Sequence, residues 1–233
     1  MINKVILSPP FSNFYPNFDN STKIIGTYTK EKRPGRHRVF TTLKYKNKTL
    51  YNKSGLRNPG IDKLKIKNNK IVSISLLKEN DWAYISNVLK NINPIGIEFN
   101  VSCPNANVQN IRKNILEESL SLTENVILKM PHGVDVDFVK SYIDMGCNFF
   151  HISNTKKTEL GAMSGRGLKE KNLDLIYNLK CNYNIKIIGG GGIYDIKDVE
   201  DYKNAGADHF SLSTILLNPF RTSKLINYIS EIS

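Results

Sequence analysis

The sequence predicts a (β/α)8 barrel of the TIM type, formed by one compact domain over residues 1–233. Three observations lead there. Eight short, β-rich and nearly continuous apolar runs recur along the chain. Amphipathic segments separate them in the second half. A length of 233 residues falls in the range that closes a single α/β barrel. Runs of this kind suit strands buried on both faces, as in a parallel sheet wrapped by helices. A doubly wound sheet is the other arrangement with the same alternation.

The runs are 5–8 (VILS), 23–29 (KIIGTYT), 71–77 (IVSISLL), 96–102 (GIEFNVS), 125–130 (NVILKM), 148–154 (NFFHISN), 185–192 (IKIIGGGG) and 209–215 (HFSLSTI). A further run at 49–52 (TLYN) lies in a Lys-rich stretch and reads as a loop hairpin. Helical periodicity is clearest late in the chain. Residues 135–145 open on Asp135 as N-cap, place Val136, Val139, Tyr142 and Ile143 on one face, and stop at Gly146. Residues 195–205 repeat the plan with Asp195, Val199, Tyr202 and Gly206. Segments 171–180 and 219–230 are two more, the second carrying Leu225, Ile226 and Ile229. The early segments are weak helices: 9–22 contains Pro9, Pro10 and Pro16, and 60–70 is short and basic.

The net charge of +12 comes from 26 lysines against seven arginines, with lysine spread along the whole chain. A nucleic-acid reader relies on arginine forks and a dense basic patch. Here the one dense cluster is Lys30, Lys32, Arg33, Arg36 and Arg38, and the remainder reads as solvated surface. Cys103, Cys147 and Cys181 are too few and too scattered for a disulfide framework or a zinc site. No apolar run approaches the ~20 residues that span a bilayer, and MINKVILSPPF holds too short an apolar stretch for a signal segment. The expectation is a soluble, cytoplasmic protein with no metal, no membrane and no nucleic-acid partner.

Barrel active sites lie at the C-terminal ends of the strands. Here those ends read Ser8; Thr27 and Thr29; Asn100 to Asn105; Lys129; Asn154 and Thr155; Gly189 to Gly192; Ser213 and Thr214. In Asn100-Val101-Ser102-Cys103-Pro104-Asn105, carboxamides flank a thiol at the end of a strand. Carboxamides donate to and accept from a planar heterocycle, and a thiol with a tuned pKa can move a proton. The same residues also suit a buried thiol followed by a turn. Gly189-Gly190-Gly191-Gly192 precedes a helix, where glycine backbone N–H groups and the helix N-terminus can meet a phosphate. Ser213-Thr214 adds hydroxyls at the neighbouring strand end, where barrels commonly bind phosphate. Lys129 ends its strand at the mouth, suited to offsetting negative charge on a bound ring. Gly161-Ala162-Met163-Ser164-Gly165 completes the set. His132 and His151 have no second histidine or carboxylate at ligand spacing and read as structural.

Taken together, these motifs resemble the dihydroorotate dehydrogenases, FMN-dependent barrels of pyrimidine biosynthesis. Asn100 to Asn105 resembles their catalytic loop. Val5 to Ser8, Gly26 to Thr29 with Arg33-Pro34-Gly35, Asn52 to Gly60, Lys129, Asn154-Thr155, Met163 to Gly165, the tetraglycine run and Ser213-Thr214 follow in family order. The resemblance implies FMN as cofactor and oxidation of dihydroorotate to orotate, with the C5 proton passing to a base and the C6 hydride to flavin N5. It assigns Cys103 as the base, cysteine here being the pattern of the soluble class. It assigns Asn52, Gly55, Leu56, Asn100, Asn105, Asn154 and Thr155 to the substrate. Ser8, Thr27, Asn100, Lys129, Ser164, Gly165, Gly191, Gly192, Ser213 and Thr214 fall to FMN. A homodimer is the expected assembly. The acceptor stays open between fumarate, a partner subunit and quinone. Two departures stand out: Gly26 replaces a lysine usual in the soluble class, and the segments after Asn105 and Asn154 are short. Other readings are a related flavin barrel reducing uracil-type rings, free or in tRNA, and a trimmed barrel that binds without catalysis.

Overall fold

The computed structural model describes residues 1–34, 43–46, 49–52, 56–66, 70–101, 111–153 and 155–232. Its strands, in chain order, are β1 (Val5–Leu7), β2 (Ser21–Tyr28), β3 (Leu43–Lys46), β4 (Thr49–Asn52), β5 (Lys70–Ile74), β6 (Gly96–Asn100), β7 (Val126–Lys129), β8 (Phe149–Ile152), β9 (Lys156–Thr158), β10 (Gly161–Gly165), β11 (Lys186–Gly190) and β12 (His209–Leu212). Eight of them close a barrel in the order β1-β12-β11-β8-β7-β6-β5-β2, and every neighbouring pair is parallel. These eight are the eight apolar runs of the sequence. The barrel therefore stands, and the doubly wound sheet falls.

The helices are α1 (Asp81–Ile92), α2 (Lys113–Leu122), α3 (Val136–Ile143), α4 (Lys169–Asn182), α5 (Ile196–Asn204) and α6 (Pro219–Glu231). α3 starts where Asp135 accepts from the Phe138 N–H. α5 starts at a capping box in which Asp195 and Asp198 satisfy each other's backbone donors. Gly146 and Gly206 end these helices at φ +97° and +100°, a conformation other residues enter only with strain. Replacing Asp195 by alanine is expected to cost about 1 kcal/mol, lowering the melting temperature by about 2–4 °C. Calorimetry of the variant checks this.

α1 and α2 were not expected from the sequence, although Trp82, Ile85 and Leu89 repeat at helical spacing and are buried. The proline-bearing segment 9–22 yields one 3-10 turn, Phe11–Asn13, and 60–70 yields another, Ile61–Lys63. The 49–52 run does form a hairpin, β3 with β4. It also joins β10 and β9 in a four-stranded antiparallel sheet of order β3-β4-β10-β9. β10 went unseen because Gly161 to Gly165 is small and glycine-rich, a composition that marks turns rather than strands.

Two apolar layers hold the barrel. The outer one packs the outward-facing side of the strands, such as Val72, Phe99, Leu128 and Phe210, against helix residues such as Trp82, Val139, Ile176 and Ile226. The inner one is a plug of Ile6, Ile24, Ile71, Ile127, Phe149 and Ile188. Strand side chains alternate faces, so residues two positions further along point inward again. Those residues are Ser8, Gly26, Ser73, Lys129, His151 and Gly190. The interior thus changes from apolar to polar within one step toward the C-terminal ends of the strands. That step builds the floor of the site.

Candidate active site

A cavity of about 1070 Å³ opens at that end of the barrel, just above the upper end of the usual size range of small-molecule sites. Ser8, Thr27, Asn52, Leu56, Asn100, Lys129, Thr155, Ser164, Gly165, Gly191, Gly192, Ser213 and Thr214 all line it. These are all the sequence-nominated site residues that the structure describes. Gly55, Cys103, Asn105 and Asn154 lie outside the described residues. So does part of the basic cluster, Arg36 and Arg38.

The strand pattern explains how each side chain arrives. Asn100 and Lys129 are register partners at the ends of β6 and β7. Ser8 follows β1 and bonds Ser211 of β12, Oγ to Oγ, at 2.6 Å. Thr27 breaks the alternation of β2, and the β2–β5 register shifts between Ile25 and Tyr28. An irregularity of this kind re-aims a side chain. Thr27 then lies 3.1 Å from Ser73 Oγ and accepts from the Asn100 carboxamide at 3.2 Å.

On the opposite wall, three glycine backbones converge. Gly165, Gly191 and Gly192 have φ of +104°, +89° and +89°. A Cβ on Gly192 would sit 2.9 Å from Arg166 Cα and 3.1 Å from the Gly165 carbonyl oxygen. Tyr202 Oη shares its proton between the carbonyls of Gly190 and Gly191, at 2.6 and 2.8 Å. Asn172 also donates to the Gly190 carbonyl, at 2.8 Å. The acceptors of the turn are thereby tied into the protein. Arg166 reaches Asp195 and Asp198 at 3.0 and 3.2 Å, and Lys169 reaches Asp198 and Asp201 at 2.5 and 2.6 Å. This ion-pair network clamps the Gly165–Arg166 turn against the start of α5. Thr214 and Ser164 hydroxyls approach to 3.5 Å beside it. The result is a small recess walled by glycine backbone and hydroxyls beside the start of α5, where a phosphate can approach the main chain closely.

The cavity floor holds a pair that sequence reasoning missed. His151 reads from the sequence as a structural or loop residue, with no carboxylate at ligand spacing. Instead its Nδ1 lies 2.6 Å from Glu98 Oε2, and both side chains are fully buried. The two residues are 53 apart in sequence and meet across β7, because barrel layers are built from alternate strands. Ser73 donates to the other Glu98 oxygen at 2.7 Å, and Ser153 Oγ lies 2.7 Å from His151 Nε2. Burial alone would raise the Glu98 carboxyl, but the Lys129 ammonium and His151 outweigh it and hold the pKa at about 2. Burial pulls the His151 imidazole down, against the opposing pull of Glu98. Glu98 is thus held toward its anionic form, and burial favours the neutral ring of His151, which can then donate from Nδ1 to the carboxylate. His132 contacts Asn172 at 3.3 Å, outside this network.

A family model described as dihydroorotate dehydrogenase matches residues 139–232. The catalytic subunit of dihydroorotate dehydrogenase B (NAD(+)) from Malacoplasma penetrans is 24% identical over 95% of this chain and 83% of its own length. The proteins of the same name from Fusobacterium nucleatum and Sulfolobus acidocaldarius are 26% and 29% identical, over 88% and 78% of this chain and 78% and 70% of theirs. Among solved structures, a crystal structure of DHODH in complex with ferulenol from Eimeria tenella shares the fold. Its TM-score is 0.75 and its identity 15%, over 96% of this chain and 79% of that one. No helix among the described residues is long and apolar enough to cross a membrane. In the order of its motifs, in these relatives and in its fold, the chain is similar to the dihydroorotate dehydrogenases.

Proposed function

We propose that this chain binds FMN in the barrel-mouth cavity and oxidises dihydroorotate to orotate there, as a step of pyrimidine (UMP) biosynthesis. The observation that carries the reading is the convergence of thirteen nominated residues from nine segments of the chain on one cavity. The residues present fit the cofactor. The recess at Gly165, Gly191, Gly192, Ser164 and Thr214 suits its phosphate, because glycine allows the backbone approach that any Cβ would block. Lys129 on the floor suits the ring edge where negative charge develops. FMN, when bound, supplies the hydride acceptor at N5.

The chain's own residues do the rest. Asn52 and Asn100, with Asn105 and Asn154, present carboxamides that match the donor and acceptor edges of the pyrimidine ring. Leu56 and Thr155 line the same cavity, and the resemblance assigns Gly55 to the substrate with them. Cys103 removes the C5 proton. Lys129, buried at the barrel mouth, stabilises charge without water reorganising around it. Electron exit follows the relatives' printed name: a second subunit takes the electrons to NAD(+).

Purified protein is expected to take up one FMN, and orotate to perturb the visible spectrum of the bound flavin. A protein that binds no added FMN contradicts the reading.

A further inference from the structure

Glu98, His151 and Ser153 form a continuous hydrogen-bonded line from the barrel interior to the cavity wall. Glu98 and His151 are fully enclosed, and Ser153 lines the cavity. The distances are 2.6 Å from Glu98 Oε2 to His151 Nδ1 and 2.7 Å from His151 Nε2 to Ser153 Oγ. Ser153 Oγ also lies 3.4 Å from Ser211 Oγ, which meets Ser8 at 2.6 Å. With Nδ1 donating to Glu98, Nε2 of the neutral ring accepts from the Ser153 hydroxyl. The basic lone pair of the ring, on Nε2, faces Ser153 and meets the cavity only through that hydroxyl.

The charges around His151 can be counted from every side. β6 contributes Glu98 and β7 contributes Lys129, the register partner of His151. On the other side, β11 pairs Ile188 with it, and Ser73 and Ser211 are uncharged. In the resting site Glu98 and Lys129 offset each other, and burial keeps the ring neutral. A further negative charge held against Lys129 would compete for that ammonium and leave Glu98 uncompensated. A proton on Nε2 restores the balance, because it places an imidazolium directly on the carboxylate.

We propose that His151 is a proton store coupled to the redox state of the cavity. It is neutral while the site is oxidised and protonated when electrons are held there. The proton comes from solvent: Ser153 passes its hydroxyl proton to Nε2 and takes one from cavity water. This transfer is separate from the substrate's own chemistry, in which one proton goes to the base and a hydride to the acceptor. The proposal rests on FMN binding as described above and adds a role for two buried residues that touch neither substrate nor cofactor. Glu98 and His151 are positioning residues in this account.

The test is the midpoint potential of FMN bound to the wild-type protein, measured from pH 6 to pH 8. A two-electron couple shifts by about 30 mV per pH unit for each proton taken up. The wild type is expected to shift by about 60 mV per pH unit, one proton for the flavin and one for His151. H151N keeps a donor toward Glu98 but has no basic nitrogen, and E98Q keeps the hydrogen bonds but not the charge. Both are expected to shift by about 30 mV per pH unit. A wild-type slope of about 30 mV overturns the proposal while leaving FMN binding intact. So does a slope of about 60 mV that both variants retain, since the flavin itself then takes both protons. Failure of the wild type to bind FMN removes the proposal and the functional reading together.

Discussion

Replacing Cys103 by alanine is expected to leave FMN bound and to slow flavin reduction by dihydroorotate about 10²–10⁴-fold, the usual contribution of a positioned base. The thiol suits the task because its reference pKa of ~8.5 needs only a modest downward shift to serve near neutrality. The other two cysteines offer no substitute. Cys147 is buried in the outer core, where desolvation pushes its pKa up to about 12. Cys181 is exposed in the last turn of α4, at the opposite end of that helix from the cavity-lining turn at Gly165. Stopped-flow reduction of FMN-loaded protein checks the effect. A rate close to wild type would reject Cys103 as the base.

Replacing Gly192 by valine is expected to weaken FMN binding by at least about 100-fold. Two costs combine. The backbone sits at φ +89°, and a β-branched residue held there is strained by roughly 1–3 kcal/mol. The new Cβ also meets main-chain atoms of Gly165 and Arg166 rather than flexible side-chain tips. Arg166 is tied to Asp195 and Asp198 and cannot recede without breaking that network. Relief therefore requires the two turns to separate, which dismantles the phosphate recess. Gly133→Ala is the control. It has a similar φ of +80° but nothing within 4 Å of the added carbon, so it is expected to retain FMN affinity. Quenching of FMN fluorescence on binding measures both variants. Equal affinity in G192V would remove the recess from the account.

Much of this site was legible because barrel architecture converts strand ends into positions on a cavity wall. Once Ser8, Asn100, Lys129 and Gly191 are read as ends of parallel strands of one barrel, their convergence follows without knowledge of side-chain packing. Glycines with obligatory positive φ, such as Gly191 and Gly192, announce themselves by composition. What escaped was of two kinds. β10 was hidden because small residues carry no strand signature, and its pairing with β4 spans more than a hundred residues. Glu98 and His151 were hidden because each lies inside an apolar run that reads as core. A buried polar residue there signals a partner only if the topology is known, and the partner lies two strands away. Alternation within the runs was the available clue: Ile127 and Lys129, or Phe149 and His151, share an inward face that turns polar toward the mouth.

The central claim is that this barrel oxidises dihydroorotate through bound FMN. Its most direct test is anaerobic titration of the FMN-loaded protein with dihydroorotate, following the flavin's visible absorbance and the orotate formed. The account predicts that the yellow colour bleaches with one orotate produced per flavin reduced. An FMN-loaded protein that stays yellow in excess dihydroorotate would contradict it.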